Sequence, residues 1–383
     1  MDIPKLSIGL ELETNIIAKE TGKVILEFNN KEFEKCASHF ISQSYPALQT
    51  EFDAATIEFS TRPYGDLDSA FNSLYDNFNM VNHYLFQQGY LLLLLGLHPG
   101  RMRDEIIMTN SPYCSASLPL MAEQGGPLFY CSYQINLAVD ATDIEFLIPL
   151  CQWLQFYMWP SSVITQASPI LAGKESNYKS FRVHLNDSLS GSRAGPLPSD
   201  ISNLDEFAHY CNHLADKADP LRVCNVWFDI LPKPIDPTNL SEGYRLEIRV
   251  ADTTEFSKLY VFTQAMVLTF TAILNKLKSG TLEPLPKNRW LMLNRDSVLK
   301  KGNEAIITSD GEKFYSIKDY LNLIWRPIVT DYAQYFDVDM DKLISKLTQK
   351  SRADEILEQF QTMPANQIAL HYAYHDLRAK SFK

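Results

Sequence analysis

The chain has 383 residues and a mass of 43.8 kDa, and 45% of its residues are hydrophobic, enough for one large core or two tightly joined ones. A formal net charge of −11 and a pI near 5.3 argue against general attraction to nucleic acid or an anionic membrane, so neither is expected as a partner. Cys36, Cys114, Cys131, Cys151, Cys211 and Cys224 have no C-x-x-C spacing and sit mostly in apolar surroundings, as reduced core thiols do, and a cytoplasmic location is expected.

Met1 to Leu6 carries Asp2 and Lys5 and runs into a strand, so no signal peptide is expected there. Leu6–Glu13 and Lys23–Glu27 read as two strands of a hairpin around the polar turn 19–22. A further strand spans Ala55–Thr61. After Pro63, residues Leu67–Gln88 space Phe71, Leu74, Tyr75, Phe78, Val81 and Leu85 as a helix does. Leu91–Leu97 is the longest aliphatic run, far short of a membrane span, and reads as a buried strand ending at His98-Pro99-Gly100. Leu128–Val139 gives another strand. A helix follows from Asp143, a good N-cap, to about Trp159. Ser188–Asp200 is rich in Ser, Gly and Pro and predicts a long loop of the kind that often forms a lid. Strands at Asn225–Leu231 and Tyr244–Val250 precede a helix from about Thr254 to Lys278, and the chain from Ile317 onward is mostly helical. The order predicts an α+β fold with a largely antiparallel sheet covered by helices, as one domain over 1–383.

Three of these strands carry polar or charged side chains two residues apart within apolar runs: Glu11 and Glu13, Gln134 and Asn136, Glu247 and Arg249. Residues i and i+2 of a strand share a face, so one face of the sheet is expected to carry chemistry. Glutamates on adjacent strands are a usual way to hold Mg²⁺ or Mn²⁺, because hard cations prefer carboxylate oxygens. Glu11, Glu13, Glu58 and Glu247 are the candidates, with Glu51 a fifth whose direction is not readable behind the Asp53-Ala54-Ala55 turn. Each taken alone also fits a solvated residue on an exposed strand. Arg249 could neutralise a phosphoryl group or form a structural ion pair; His98 could be a ligand or cap its turn. No G-x-G-x-x-G, P-loop, G-x-S-x-G or H-E-x-x-H motif occurs.

Taken together, the motifs resemble those of the glutamate-cysteine ligase-like carboxylate-amine ligases of the glutamine synthetase superfamily, from about Ile8 to Arg295. In order they are Gly9–Glu13, Ile57–Pro63, Gly96–Pro99, Gln134–Leu137, Ser180–Arg182, Arg193–Pro198, Val226–Asp229 and Leu246–Asp252. The resemblance implies a half-barrel sheet and ATP-dependent amide formation through an acyl phosphate, with small-molecule substrates. The acid would be an amino acid, glutamate through its γ-carboxylate, and the amine cysteine by default. It further implies Glu11, Glu13, Glu58 and Glu247 as ligands of Mg²⁺ or Mn²⁺, with Arg249, Glu58 and Arg182 catalytic. Gln134, Asn136, Arg193 and Arg249 would face the ATP. Two departures stand out: Asn136 replaces a histidine usual in the family, and Leu231 replaces an arginine. A later arginine usual near Asn288-Arg289-Trp290 is displaced to Arg295 or lost. A degenerate nucleotide- or metabolite-binding homologue, and a ligase acting on another amine or on a peptide or protein, are the alternatives; homo-oligomerisation is left open.

Overall fold

The structure, a computed structural model, describes residues 6–41, 48–110, 130–190, 194–214, 226–236 and 243–378. Its centre is a seven-stranded antiparallel sheet that stays open. The strands are β1 (Ile8–Ala18), β2 (Leu48–Thr50), β3 (Thr56–Ser60), β4 (Tyr90–Leu93), β5 (Ser132–Val139), β6 (Ile230–Pro234) and β7 (Tyr244–Asp252), in the order β6-β7-β5-β1-β3-β2. Asn15 of β1 pairs with Thr56 of β3 and Leu93 of β4, while Leu12 pairs with Phe59 of β3 and Tyr133 of β5. Strands β4 and β5 therefore lie end to end along the same edge of β1.

Alternation along β1 decides what each face becomes. Ile8, Leu10, Leu12 and Ile16 are fully buried in the main core. That core is shared by helices α1 (Leu67–Gln87), α2 (Leu147–Ser162) and α4 (Phe256–Lys278). Helix α4 is long and apolar enough to cross a membrane by composition, yet 83% of its most apolar window is buried inside the protein. Between α2 and α4 comes α3 (Phe181–Ser190), and after α4 comes α5 (Asn288–Lys301). The last two long helices, α6 (Arg352–Phe360) and α7 (Ala365–Arg378), pack Ile356, Ile368, Ala369 and Tyr372 against Ile17, Leu91, Leu93 and Leu95 as a second apolar cluster.

Several sequence expectations need correction. Lys23–Glu27 forms no strand; only Val24 bridges back to Ile17, and the chain then enters a short helical turn at Phe28–Lys31. The cap before α2 is Asp140, whose carboxylate accepts the Thr142 amide at 2.9 Å, while Asp143 lies inside the 3₁₀ turn Ala141–Phe146 and pairs with Lys278 at 2.8 Å. Ser188–Ser190 close α3 instead of opening a loop. The described remainder of the loop is pinned to α2: the Leu197 amide donates to Gln155 Oε1 at 2.6 Å, and Gln152 Nε2 donates to the Pro198 and Ile201 carbonyls. The predicted strand Asn225–Leu231 is broken at Asp229, with Trp227–Phe228 pairing in parallel with Ala194–Gly195 and Ile230 starting β6.

Candidate active site

Antiparallel partners share a face, so the register assembles the site. Gly9 opposes Asn136, Glu11 opposes both Gln134 and Ser60, and Glu13 opposes Glu58. Across the next edge Glu247 opposes Asn136, and Leu231 opposes Glu247. The three spaced pairs thus occupy one face. Helices back the other face, and on this side the chain leaves cavities.

The carboxylates divide into groups. Oxygens of Glu13, Glu51 and Glu58 lie within 4.8 Å of one another. Glu51 joins them because the chain reverses at Asp53, where the Thr56 amide donates to the Asp53 carbonyl at 3.0 Å, folding the end of β2 back beside β3. Asp53 is locked in turn by a buried bidentate pair with Arg101 and by the Thr56 hydroxyl at 2.9 Å. Glu13 accepts the Ser132 amide at 2.7 Å and Gln134 Nε2 at 3.1 Å. Glu11 accepts Asn136 Nδ2 at 3.0 Å, while Asn136 Oδ1 is buried with no hydrogen-bond partner. Glu247 is engaged by cations: Lys233 Nζ lies 2.5 Å from Oε2 and Arg249 Nη1 lies 3.1 Å from Oε1.

Crowding and burial dominate the protonation of this face. Burial, reinforced by Glu51, pushes Glu13 up to about 8. Burial together with Glu51 and Glu11 pushes Glu58 up to about 11. Burial likewise raises Glu51, opposed by its hydrogen bond to Glu58, and raises Glu11 with help from Glu247. Without a cation, then, Glu58 keeps a proton and shares it with Glu51. Burial alone would raise Glu247 too, but Arg249 and Lys233 hold it below the usual carboxylate range.

Two cavities flank the row. One is lined by Glu13, Glu51, Tyr130, Arg182, Asp229 and Arg249, among others. Arg182 is buried; its Nε donates to Asp252 Oδ1 at 2.7 Å and its Nη2 to the Arg249 carbonyl at 3.1 Å. Asp229 is clamped from behind by Arg295, which also holds Asp187. Arg295, the displaced arginine of the sequence reading, therefore serves Asp229 and Asp187. The other cavity has Gly9, Glu11, Pro63, Asn136, Ile235 and Arg245 in its walls.

The structure brings Glu11, Glu13, Glu58, Gln134, Asn136, Glu247 and Arg249 onto one face and sets Arg182 in the first cavity. Arg193 lies outside the described residues. His98 has a structural position: its Nε2 meets the Gly22 carbonyl at 2.7 Å, its Nδ1 accepts the Gly100 amide at 3.2 Å, and burial lowers its pKa to about 4. Lys233 and Arg245 were missed. Both obey the same two-residue rule, Arg245 preceding Glu247 and Lys233 following Leu231, and they oppose each other across β6 and β7. The positive charge absent at Leu231 thus reappears one step along its strand, where Lys233 reaches Glu247.

Residues 7–322 match the family model described as glutamate-cysteine ligase family 2. A protein of Thermobifida fusca provisionally named glutamate–cysteine ligase 2 is 22% identical over 80% of this chain and 74% of its own length. Among solved structures, glutamate–cysteine ligase from Francisella tularensis in complex with AMP superposes with a TM-score of 0.70 at 13% identity, covering 100% of this chain and 90% of that one. A bifunctional glutathione synthetase from Pasteurella multocida gives 0.67 at 11% identity, over 97% of this chain and 52% of that one. At such identities the superpositions speak for the fold; the family match, carried by the same strands that build the carboxylate face, shows that the chain belongs to glutamate-cysteine ligase family 2 and is an ATP-dependent ligase of that class.

Proposed function

We propose that the protein uses ATP to activate the γ-carboxylate of glutamate as an acyl phosphate and joins it to a small amine, cysteine by default. The observation that carries this reading is the cluster of buried Glu13 with half-buried Glu51 and Glu58, of which Glu13 and Glu51 line one cavity with Arg182 and Arg249. Five carboxyl groups, Glu11, Glu13, Glu51, Glu58 and Glu247, face three cations, Lys233, Arg245 and Arg249, so with all five ionised, as a bound metal would favour, negative charge exceeds positive by two. That excess and the all-oxygen donor set fit a divalent hard cation, Mg²⁺ or Mn²⁺. Glu13, Glu51 and Glu58 would hold it, with Glu11 and Gln134 beside them; Glu247, already ion-paired, serves better to fix Arg249. When bound, such an ion neutralises phosphate oxygens and aligns them for transfer.

The protein's own residues then divide the work. Arg249 stabilises charge on the transferring phosphoryl group. Arg182, aimed by Asp252, orients the carboxylate of the acid in the first cavity, and the cavity beside Asn136 and Arg245 receives the nucleotide. A carboxylate oxygen attacks the γ-phosphorus and ADP leaves; the amine nitrogen then attacks the acyl carbon, loses a proton and displaces phosphate. No protein nucleophile is needed, so positioning and charge carry the catalysis. The buried thiols Cys36, Cys131, Cys151 and Cys211 are free, as suits work in the cytoplasm.

Asn136 and Leu231 favour a second reading, a nucleotide-binding homologue without turnover. Lys233, restoring a cation next to Glu247, counts against it. Phosphate release from ATP with Mg²⁺, glutamate and a panel of amines including cysteine separates the two. At least one amine is expected to stimulate release; if ATP binds and none does, the ligase reading fails.

A further inference from the structure

The second apolar cluster lies partly beyond the residues matched to the family, and it carries a polar cavity of its own. Helices α6 and α7 meet the start of α4 around a cavity lined by Glu255, Arg352, Glu355, Gln359, Tyr372 and His375, among others. Arg352 is fully buried, stacked on the Tyr372 ring at 4.2 Å, and its Nη2 donates to Glu255 Oε2 at 2.6 Å and Asp376 Oδ1 at 3.2 Å. Its Nη1 has no hydrogen-bond partner. Neither does the hydroxyl of Tyr372, 3% exposed, nor Gln359 Oε1. Buried polar atoms of this kind are costly unless something satisfies them.

The chemistry of the walls selects the occupant. Oxygens of Glu255 and Asp376 and a nitrogen of His375 lie close enough to suggest a metal, but the Arg352 guanidinium already bridges both carboxylates and would repel a second cation. A bare anion is also disfavoured. Glu255, Glu355, Glu358 and Asp376 outnumber Arg352, Lys258 and Lys350 by one charge. What remains unsatisfied is three donors, Arg352 Nη1 and Nε and the Tyr372 hydroxyl, and two acceptors, Gln359 Oε1 and Asp376 Oδ2, beside an acidic rim.

We propose that this cavity is a second ligand site for a small zwitterion, an α-amino acid, with its carboxylate on Arg352 Nη1 and the Tyr372 hydroxyl and its ammonium on Gln359 Oε1 and the acidic rim. The proposal does not depend on the substrates of the carboxylate face. It is tested by isothermal titration of the full chain with each proteinogenic amino acid, and with propionate and ethylamine as half-ligands. Because the active site can also take up amino acids, Tyr372→Phe and Gln359→Leu locate the binding. At least one amino acid should bind about tenfold or more weakly to each variant, since each loses a hydrogen bond to a charged group. Propionate and ethylamine should each bind wild-type protein about tenfold or more weakly than that amino acid. Both variants should melt as the wild type does; if one misfolds, the other supplies the reading. No amino acid whose binding responds to either substitution, which would leave water as the occupant, overturns the proposal, and so does propionate binding as tightly as the amino acid.

Discussion

Glu58 shows how far one residue can depart from its ordinary chemistry when neighbours crowd it. Opposite Glu13 and hydrogen-bonded to Glu51, it holds a proton that an isolated carboxyl would lose. A folded-state pKa raised from 4.5 to about 11 means that the protonated form's contribution is fully present below 4.5 and is lost as pH rises toward 11. Glu58→Gln keeps the hydrogen-bonding shape and removes that loss. In metal-free protein it should raise stability by about 1–2 kcal/mol at neutral pH, with the gain over wild type growing as pH rises. The same substitution should cut metal-dependent turnover by at least about 100-fold, because a cation would lose one carboxylate of three. Thermal melts across pH, with and without Mg²⁺, check both halves; wild type and variant sharing one pH slope would mean the carboxyls are not coupled. Glu51, an equal member of the cluster, was a candidate that could not be aimed from sequence. Its direction depends on the turn locked by Asp53 and Arg101, a contact spanning 48 residues.

At the scale of elements, local pattern and long-range geometry separate cleanly. Helix α1 was legible because period 3.6 runs uninterrupted there. From Leu12 to Ile17 both faces of strand β1 are buried and period two fades, so the strand, which runs on to Ala18, was legible only as far as Glu13, where alternation holds. The sharing of a face by Glu11, Glu13, Gln134, Asn136 and Glu247 was legible for the same reason. Strand β7 shows the limit. Ile248 pairs with Ile135 but Ala251 with Tyr133, so one extra residue bulges the strand at Arg249-Val250. No local signal marks that irregularity, which sits where Arg249 turns toward the first cavity. Past the bulge, Asp252 gathers the Ala167 amide, the Ser168 and Ser180 hydroxyls and Arg182 Nε within 2.7–2.9 Å. Gly96 makes room for it: a Cβ there would come 2.7 Å from Asp252 Cγ. Gly96→Ala should therefore cost roughly 1–3 kcal/mol. By displacing Asp252 it should also re-aim Arg182 and lower kcat/KM for the acid substrate about tenfold or more. Denaturant midpoints and steady-state kinetics measure the two effects; a lower midpoint with unchanged kinetics would remove Arg182 from substrate positioning.

Over the whole molecule, one sheet face changes character along its length. Glu11 and Glu13 are followed on the same side of β1 by Asn15 and Ile17, and Ile17 is sealed under α6 and α7. The half-covered face explains how a row of carboxylates can be buried deeply enough to shift their protonation and still border two cavities. Sequence reading found the polar half because motifs recur there. It missed the closure of the other half because α6 and α7 dock through interactions hundreds of residues apart in the chain, exemplified by Tyr374 and the Lys19 carbonyl. Whether this face couples ATP cleavage to activation of a carboxylate can be followed with a heavy-oxygen label. Glutamate carrying labelled oxygen in its γ-carboxylate is turned over with ATP, Mg²⁺ and the amine that best stimulates phosphate release. One labelled oxygen per turnover should appear in the released inorganic phosphate. Amine-stimulated release of phosphate free of label would mean that no acyl phosphate forms on this face.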